Sequence, residues 1–252
     1  MASAVLAATN SRTLWYLTRG TGVVTLVLLT TSLVLGVLQV NRWRSRRWPR
    51  FVTGALHKNI SLLVVAFLAV HITTAVADKY APISWLNVIV PFTSSYRPVW
   101  LGLGAVAFDL LIAVIVTSAL RPHISHRAWR AVHWVTYALW PVAFVHGLGT
   151  GSDTRTRWVL ALNLACLAVT IGAVWWRLIT GWPQQAAVRI CAAGASVIAP
   201  LAILGWLTAG PLQTGWAARA GTPATLLGTQ SNPTAGTPTI PVYGIRDEGT
   251  GQ

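Results

Sequence analysis

His57-Lys-Asn-Ile-Ser-Leu-Leu-Val-Val-Ala-Phe-Leu-Ala-Val-His71 is the stretch whose reading decides the fold. Between its two histidines only Lys58, Asn59 and Ser61 are polar. With its flanks the run extends over 55–77, long enough to cross a hydrocarbon core, which takes about 20 apolar residues in helix. Five runs of the same kind stand at 14–40, 98–120, 131–149, 157–177 and 188–209. A chain in lipid must satisfy its backbone polar groups internally, so each run is expected to be helical. The fourth is the shortest and carries Pro141.

Composition agrees with this reading. Of 252 residues, 54% are apolar and 10% charged, where a soluble domain carries about 25% charged residues. The net charge of +14 is of the kind that binds phosphate backbones. Its arginines, however, cluster in short connections between apolar runs, so the expected partner is the lipid bilayer and no nucleic acid is expected. The connection Asn41-Arg-Trp-Arg-Ser-Arg-Arg-Trp-Pro-Arg50 holds five arginines and no acid. Arg121, Arg127 and Arg130, then Arg177 and Arg189, fall on the same side. An arginine excess marks the cytoplasmic side. The chain is therefore expected to be a multi-pass protein of the plasma membrane with both termini outside.

The fold class expected is all-α integral membrane, a six-transmembrane-helix bundle over 14–210. A short external N-terminus, 1–13, shows no cleavable signal pattern, so the first helix is expected to be retained. The segment 211–252 turns to Gly, Thr, Pro, Ala and Ser, and such a composition predicts a disordered external tail. The connection 79–97 is partly apolar and reads equally as an interfacial flap or a surface loop. Cys166 and Cys191 sit inside apolar runs and read as small buried hydrophobes.

Six histidines are present. His123 and His126 fall in an arginine-rich connection and read as solvated. His57 and His71 lie in the second run, His133 and His146 in the fourth, and an intramembrane histidine is a functional candidate by default. Fourteen residues separate the first pair, about 21 Å and nearly four turns, so both rings share a face. The second and fourth helices run in the same direction. His57 and His133 therefore share one level, and His71 and His146 the other. Two opposed neutral imidazoles can fill both axial positions of a haem iron. Zinc would need further donors at each level; copper stays open. The second pair is only thirteen residues apart, which turns His146 well off the face of His133 in an ideal helix. Either a kink at Pro141 re-aims a ring, or the two cofactors are rotated relative to each other.

The paired spacings on two parallel helices resemble the ferric reductase-like transmembrane domain family. The stretch Val99 to Gly151, with Arg-Ala-Trp-Arg-Ala-Val-His133 and Trp-Pro-Val-Ala-Phe-Val-His146, looks like actinobacterial members in particular. The resemblance covers about 14–209 and implies two haem b groups (iron protoporphyrin IX) stacked between helices 2 and 4, with His57, His71, His133 and His146 as axial metal ligands. Full-length ferric reductases and NADPH oxidases append a flavin and nicotinamide-binding module, for which no G-x-G-x-x-G fingerprint follows a plausible strand here. The implied role is the membrane haem component of an oxidoreductase. A separate cytoplasmic reductase or a membrane quinol would be the donor; an extracytoplasmic flavoprotein, a ferric complex or a reductase would be the acceptor.

Arg47, Arg50, Lys58 and Arg130 on one side, and Lys79, Arg97 and Arg155 on the other, are candidate partners for haem propionates, although topology signals and interfacial anchoring account for most of them. Trp140, two turns after His133, is a candidate bridge between the cofactors, with ordinary aromatic packing as the plainer reading. Asp109, in the middle of the third run, is expected to face the interior and find a partner. The rival reading of the whole chain is a haem-free transporter or scaffold whose histidines relay protons.

Overall fold

In the computed structural model residues 2–41, 49–180, 182–183 and 186–227 are described, with the side chains of 2–12 and of Arg50 left out. The regular elements among these residues are all helices: α1 (Ala2–Val40), α2 (Arg50–Ala77), α3 (Trp85–Ile89), α4 (Pro98–Ala119), α5 (His126–His133), α6 (Thr136–Thr150), α7 (Arg157–Thr180), α8 (Ala186–Ala209), α9 (Trp216–Arg219) and α10 (Ala224–Leu227). Five of them contain a stretch long and apolar enough to cross a membrane: Thr13–Val40, Phe51–Ala77, Pro98–Ala119, Arg157–Thr180 and Ala186–Ala209. The chain is thus a multi-pass membrane helical bundle.

The fourth expected span is not one helix. Between α5 and α6 the backbone tightens: Val135 N–H bonds Val132 O (2.9 Å), Tyr137 N–H bonds Trp134 O (3.1 Å), and Ala138 N–H bonds Val135 O (2.9 Å). Such three-residue bonds are the 3₁₀ pattern. Pro141 supplies the physical reason, because it has no N–H for the carbonyl of Tyr137 and its ring presses on that carbonyl. The disturbance therefore falls in the turn before the proline.

α2 packs along α1, α6 along α4, and α7 joins α1 to α8. The α1–α2 seam is polar and close. Thr18 Oγ1 donates to Thr74 Oγ1 (2.9 Å), Ser32 and Ser61 share a hydroxyl bond (2.8 Å), and Gln39 Nε2 donates to Thr53 O (3.2 Å). Water is absent from a bilayer core, so small residues and side-chain hydrogen bonds take the place of hydrophobic exclusion as the cement. The apolar core sits between α6, α7 and α8, around Trp140, Phe144, Leu148, Cys166, Leu167 and Leu207. Cys166 is buried there as expected, whereas Cys191 is exposed.

The expectation of a disordered tail fails for 211–227, which folds against the end of the bundle; 228–252 lie outside the described residues. Pro211 is fully buried and Ala220 nearly so. Arg97 accounts for much of this. It is only 4% exposed and starts α4 with a left-handed φ of 44°. Its N–H bonds Gly221 O (3.0 Å), its Nε donates to Thr222 Oγ1 (3.0 Å), and its Nη1 donates to Thr150 O (2.8 Å) and Gly149 O (3.3 Å). Trp216 Nε1 also donates to Gly149 O (3.1 Å), and its ring joins Trp100 and Trp206 in a three-tryptophan cluster. Composition missed this latch because two aromatic and cationic side chains, not apolar area along the segment, hold it.

The connection 79–97 contains the short helix α3, whose apolar side chains Trp85, Leu86 and Ile89 are exposed. Phe92 packs so closely on Gly102 of α4 that a Cβ there would strike its ring. The segment is seated on α4.

Candidate functional site

Three of the four intramembrane histidines are held by the same device. On α2, His57 Nδ1 bonds Ser32 O at 2.9 Å and His71 Nδ1 bonds Thr18 O at 2.8 Å. On α6, His146 Nδ1 bonds Trp100 O at 2.8 Å. A carbonyl only accepts, so Nδ1 carries the proton at each ring. Nε2 is then left with its lone pair free, the tautomer a metal-ligating histidine needs.

A helical carbonyl is already engaged by the N–H four residues on, and a side chain at that position would cover it. In all three cases the position is glycine: Gly22 after Thr18, Gly36 after Ser32, Gly104 after Trp100. A Cβ at Gly22 would stand 3.0 Å from the His71 ring, one at Gly36 would stand 3.5 Å from the His57 ring, and one at Gly104 would overlap the His146 ring. Gly22 and Gly36 are spaced by fourteen residues, as His57 and His71 are, with opposite chain direction. Sequence reasoning centred on the histidines passed over this matched spacing, though it was there to be read.

His133 differs. Its Nδ1 is buried without a hydrogen-bond partner among the described residues, and its ring stacks on Trp129 at 4.9 Å and 22°. It nonetheless meets His57: their ring centroids are 6.4 Å apart with planes at 72°. The 3₁₀ bonds between α5 and α6 offset part of the thirteen-residue mismatch. Thirteen α-helical residues fall about 140° short of whole turns, and each 3₁₀ residue adds about 20°. Roughly five such residues restore the orientation that fourteen α-helical residues give. At the other level His71 and His146 lie within electrostatic reach of each other and of Arg19. The His57–His133 pair is therefore brought together, and His71 and His146 are near enough to interact electrostatically.

The other expected site residues fare unevenly. Lys58 and Arg130 are exposed. Arg97 has its Nε and Nη1 on the tail latch. The Arg50 side chain and Arg47 lie outside the described residues. Trp140 is 3% exposed, donates Nε1–H to Thr30 Oγ1 (2.9 Å) and stacks on Phe144 at 5.0 Å. It is a core residue enclosed by α1, α7 and α8. Asp109 is exposed on α4 rather than turned inward. Arg19 had not been singled out; it is half-buried, donates to Ser152 Oγ, and stands over the Trp15 ring at 5.4 Å.

The fold and site define a class: a polytopic helical membrane protein that brings His57 of α2 against His133 of α5 and holds three histidine rings on main-chain carbonyls of adjacent helices. A family model described as "ferric reductase like transmembrane component" matches residues 21–144, a segment that includes His57, His71 and His133. Over that segment the chain is similar to the ferric reductase-like transmembrane family, and the likeness points in general terms to transmembrane electron transfer. No curated protein and no solved structure matches the chain.

Proposed function

We propose that the chain is a six-crossing dihaem module that carries electrons across the plasma membrane, from a cytoplasmic reductase or a membrane quinol to an extracytoplasmic acceptor. The sixth crossing is α5 with α6, taken as one broken span. The observation that carries the reading is the repeated clamp: three intramembrane imidazoles with Nδ1 fixed and Nε2 free. Metal–imidazole bonds are about 2 Å long, so two rings on opposite sides of one ion have centroids about 6 Å apart, and His57 and His133 stand at 6.4 Å. Among the described residues no three His, Cys, Asp or Glu side chains gather. Donors offered only as pairs suit a cofactor that brings its own equatorial ligands.

Two haem b groups would be held by His57 with His133 and by His71 with His146, and would supply one-electron redox chemistry at about 20 Å vertical spacing. The chain's own part is to orient the rings, keep them neutral and exclude water. Arg19 places a cation beside the His71–His146 pair, where a propionate would be neutralised. The arginine-rich end, read as cytoplasmic, sets the direction.

The test is the pyridine haemochrome of the purified chain from a haem-replete host. About two haems per chain with a reduced b-type band are expected. A protein that takes up no haem refutes the proposal and leaves the proton-relay transporter as the better reading.

A further inference from the structure

The His133 site lacks the carbonyl clamp for a visible reason. By the antiparallel register that sets Trp100 opposite His146, the carbonyl facing His133 would be that of Ala113, and four residues on stands Thr117 rather than glycine. Thr117 Oγ1 donates to Ala113 O (2.7 Å) and Val114 O (3.2 Å), so that part of α4 is already engaged by its own side chain. What His133 has instead is an aromatic ladder at one-turn spacing along α5. His126 stacks on Trp129 at 5.4 Å and 26°, and Trp129 stacks on His133 at 4.9 Å and 22°. The Arg121 guanidinium caps the Trp129 ring at 4.7 Å.

Among the described residues two buried ring nitrogens in this ladder have no hydrogen-bond partner: Trp129 Nε1, a donor, and His133 Nδ1. Buried N–H groups without partners are rare and costly, and each one calls for an explanation. An unpartnered indole N–H with a guanidinium over the same ring is suited to a carboxylate. A haem carries carboxylates at its edge. Resting on the dihaem reading, we propose that Trp129 is the positioning residue of the His57–His133 site. Its ring holds His133 in place of a main-chain carbonyl, and its indole N–H donates to a propionate of the inner haem.

The full-length chain, purified with haem, tests this through Trp129→Ala and Trp129→Phe, with His133→Ala as the reference for loss of the inner site. Haem per chain, low-spin ferric resonance signals and a redox titration are read together. Trp129→Ala should abolish or shift the same resonance signal that His133→Ala removes, leaving the other signal intact, with haem falling from about two toward about one per chain. Trp129→Phe keeps a ring to stack on but has no N–H. It should retain both haems while the potential of the inner site alone falls, because a propionate stripped of a donor favours the oxidised iron. If Trp129→Ala keeps two haems with both signals and potentials of wild type, or loses both sites alike, the positioning role is wrong. If Trp129→Ala does not fold, an unshifted inner potential in Trp129→Phe overturns the proposal. Failure of the underlying reading is distinguishable, since the unmutated chain would then contain no haem.

Discussion

Alanine at the three clamp glycines should weaken haem retention in a graded order that the contact distances dictate. At Gly36 the new methyl would lie 3.5 Å from His57 Cε1, an ordinary contact. At Gly22 it would stand 3.0 Å from His71 Cε1 and 3.1 Å from its Nδ1, so the ring must give by a few tenths of an ångström. At Gly104 it would overlap the His146 ring outright, and the ring cannot both yield and keep its 2.8 Å bond to Trp100 O. Overpacking of that kind costs about 1–3 kcal/mol, and a lost hydrogen bond about 0.5–1.5 kcal/mol. Replacing a helical glycine by alanine returns about 1 kcal/mol. The balance for Gly104→Ala is about 0.5–3.5 kcal/mol, a roughly 2- to 400-fold weaker hold on the cofactor. For Gly36→Ala it is near zero or slightly favourable. The assay is haem per chain and its dissociation to an apo-globin acceptor, with the two sites told apart by redox titration. Gly104→Ala should empty the His71–His146 site first and Gly36→Ala should behave as wild type. Equal retention in Gly36→Ala and Gly104→Ala would refute the clamp.

The ligand pairs themselves predict that His57→Ala and His133→Ala lose one and the same resonance signal, and that His71→Ala and His146→Ala lose the other; any crossed pattern breaks the assignment of levels. Arg97→Ala should loosen the tail: it loses the charged bond to Thr222, worth about 1.5–3 kcal/mol, and the anchor of that side chain on Gly149 and Thr150, so limited proteolysis within 211–227 should accelerate while haem content stays unchanged. Trp140→Ala should lower the thermal midpoint in detergent by the equivalent of about 3–5 kcal/mol. Trp140→Phe should cost much less, and neither change should move the haem potentials if the indole is core rather than conduit.

Much of this molecule was legible because the bilayer leaves few choices. Apolar runs had to be helices, and helical period alone set His57 and His71 on one face. Period alone also misjudged His133. The 3₁₀ turn that re-aims it depends on the missing N–H of Pro141 acting several residues upstream, and a kink placed at the proline was the nearest the sequence allowed. Asp109 was expected to turn inward because a carboxyl in lipid needs a partner, yet which face of α4 is interior is decided by how α6 packs on it. Gly104, set against the His146 ring, lies on that contact. Tail composition argued against order over 211–227, but Arg97, more than a hundred residues earlier, supplies the bonds that order it. The Asp109 and tail misses are contacts distant in sequence overriding a local signal, whereas the His133 miss is a local backbone effect.

The clamps also bear on which kind of carrier this is. A histidine that relays protons must accept at one nitrogen and release from the other, so both must exchange. At His57, His71 and His146 the Nδ1 proton is committed to a main-chain carbonyl inside a helix pair, with the Ser32 hydroxyl also 3.3 Å from His57 Nδ1. What such a ring retains is one fixed lone pair and little freedom to rotate. Fixed neutral ligands hold the same geometry in both oxidation states of a bound iron, and a preorganised site has little reorganisation to undergo when charge moves. The arrangement is poor for moving protons and good for moving electrons. Histidine-to-alanine variants should therefore remove chromophore and electron flow together, at one level at a time, without altering any proton flux across vesicles that contain the protein.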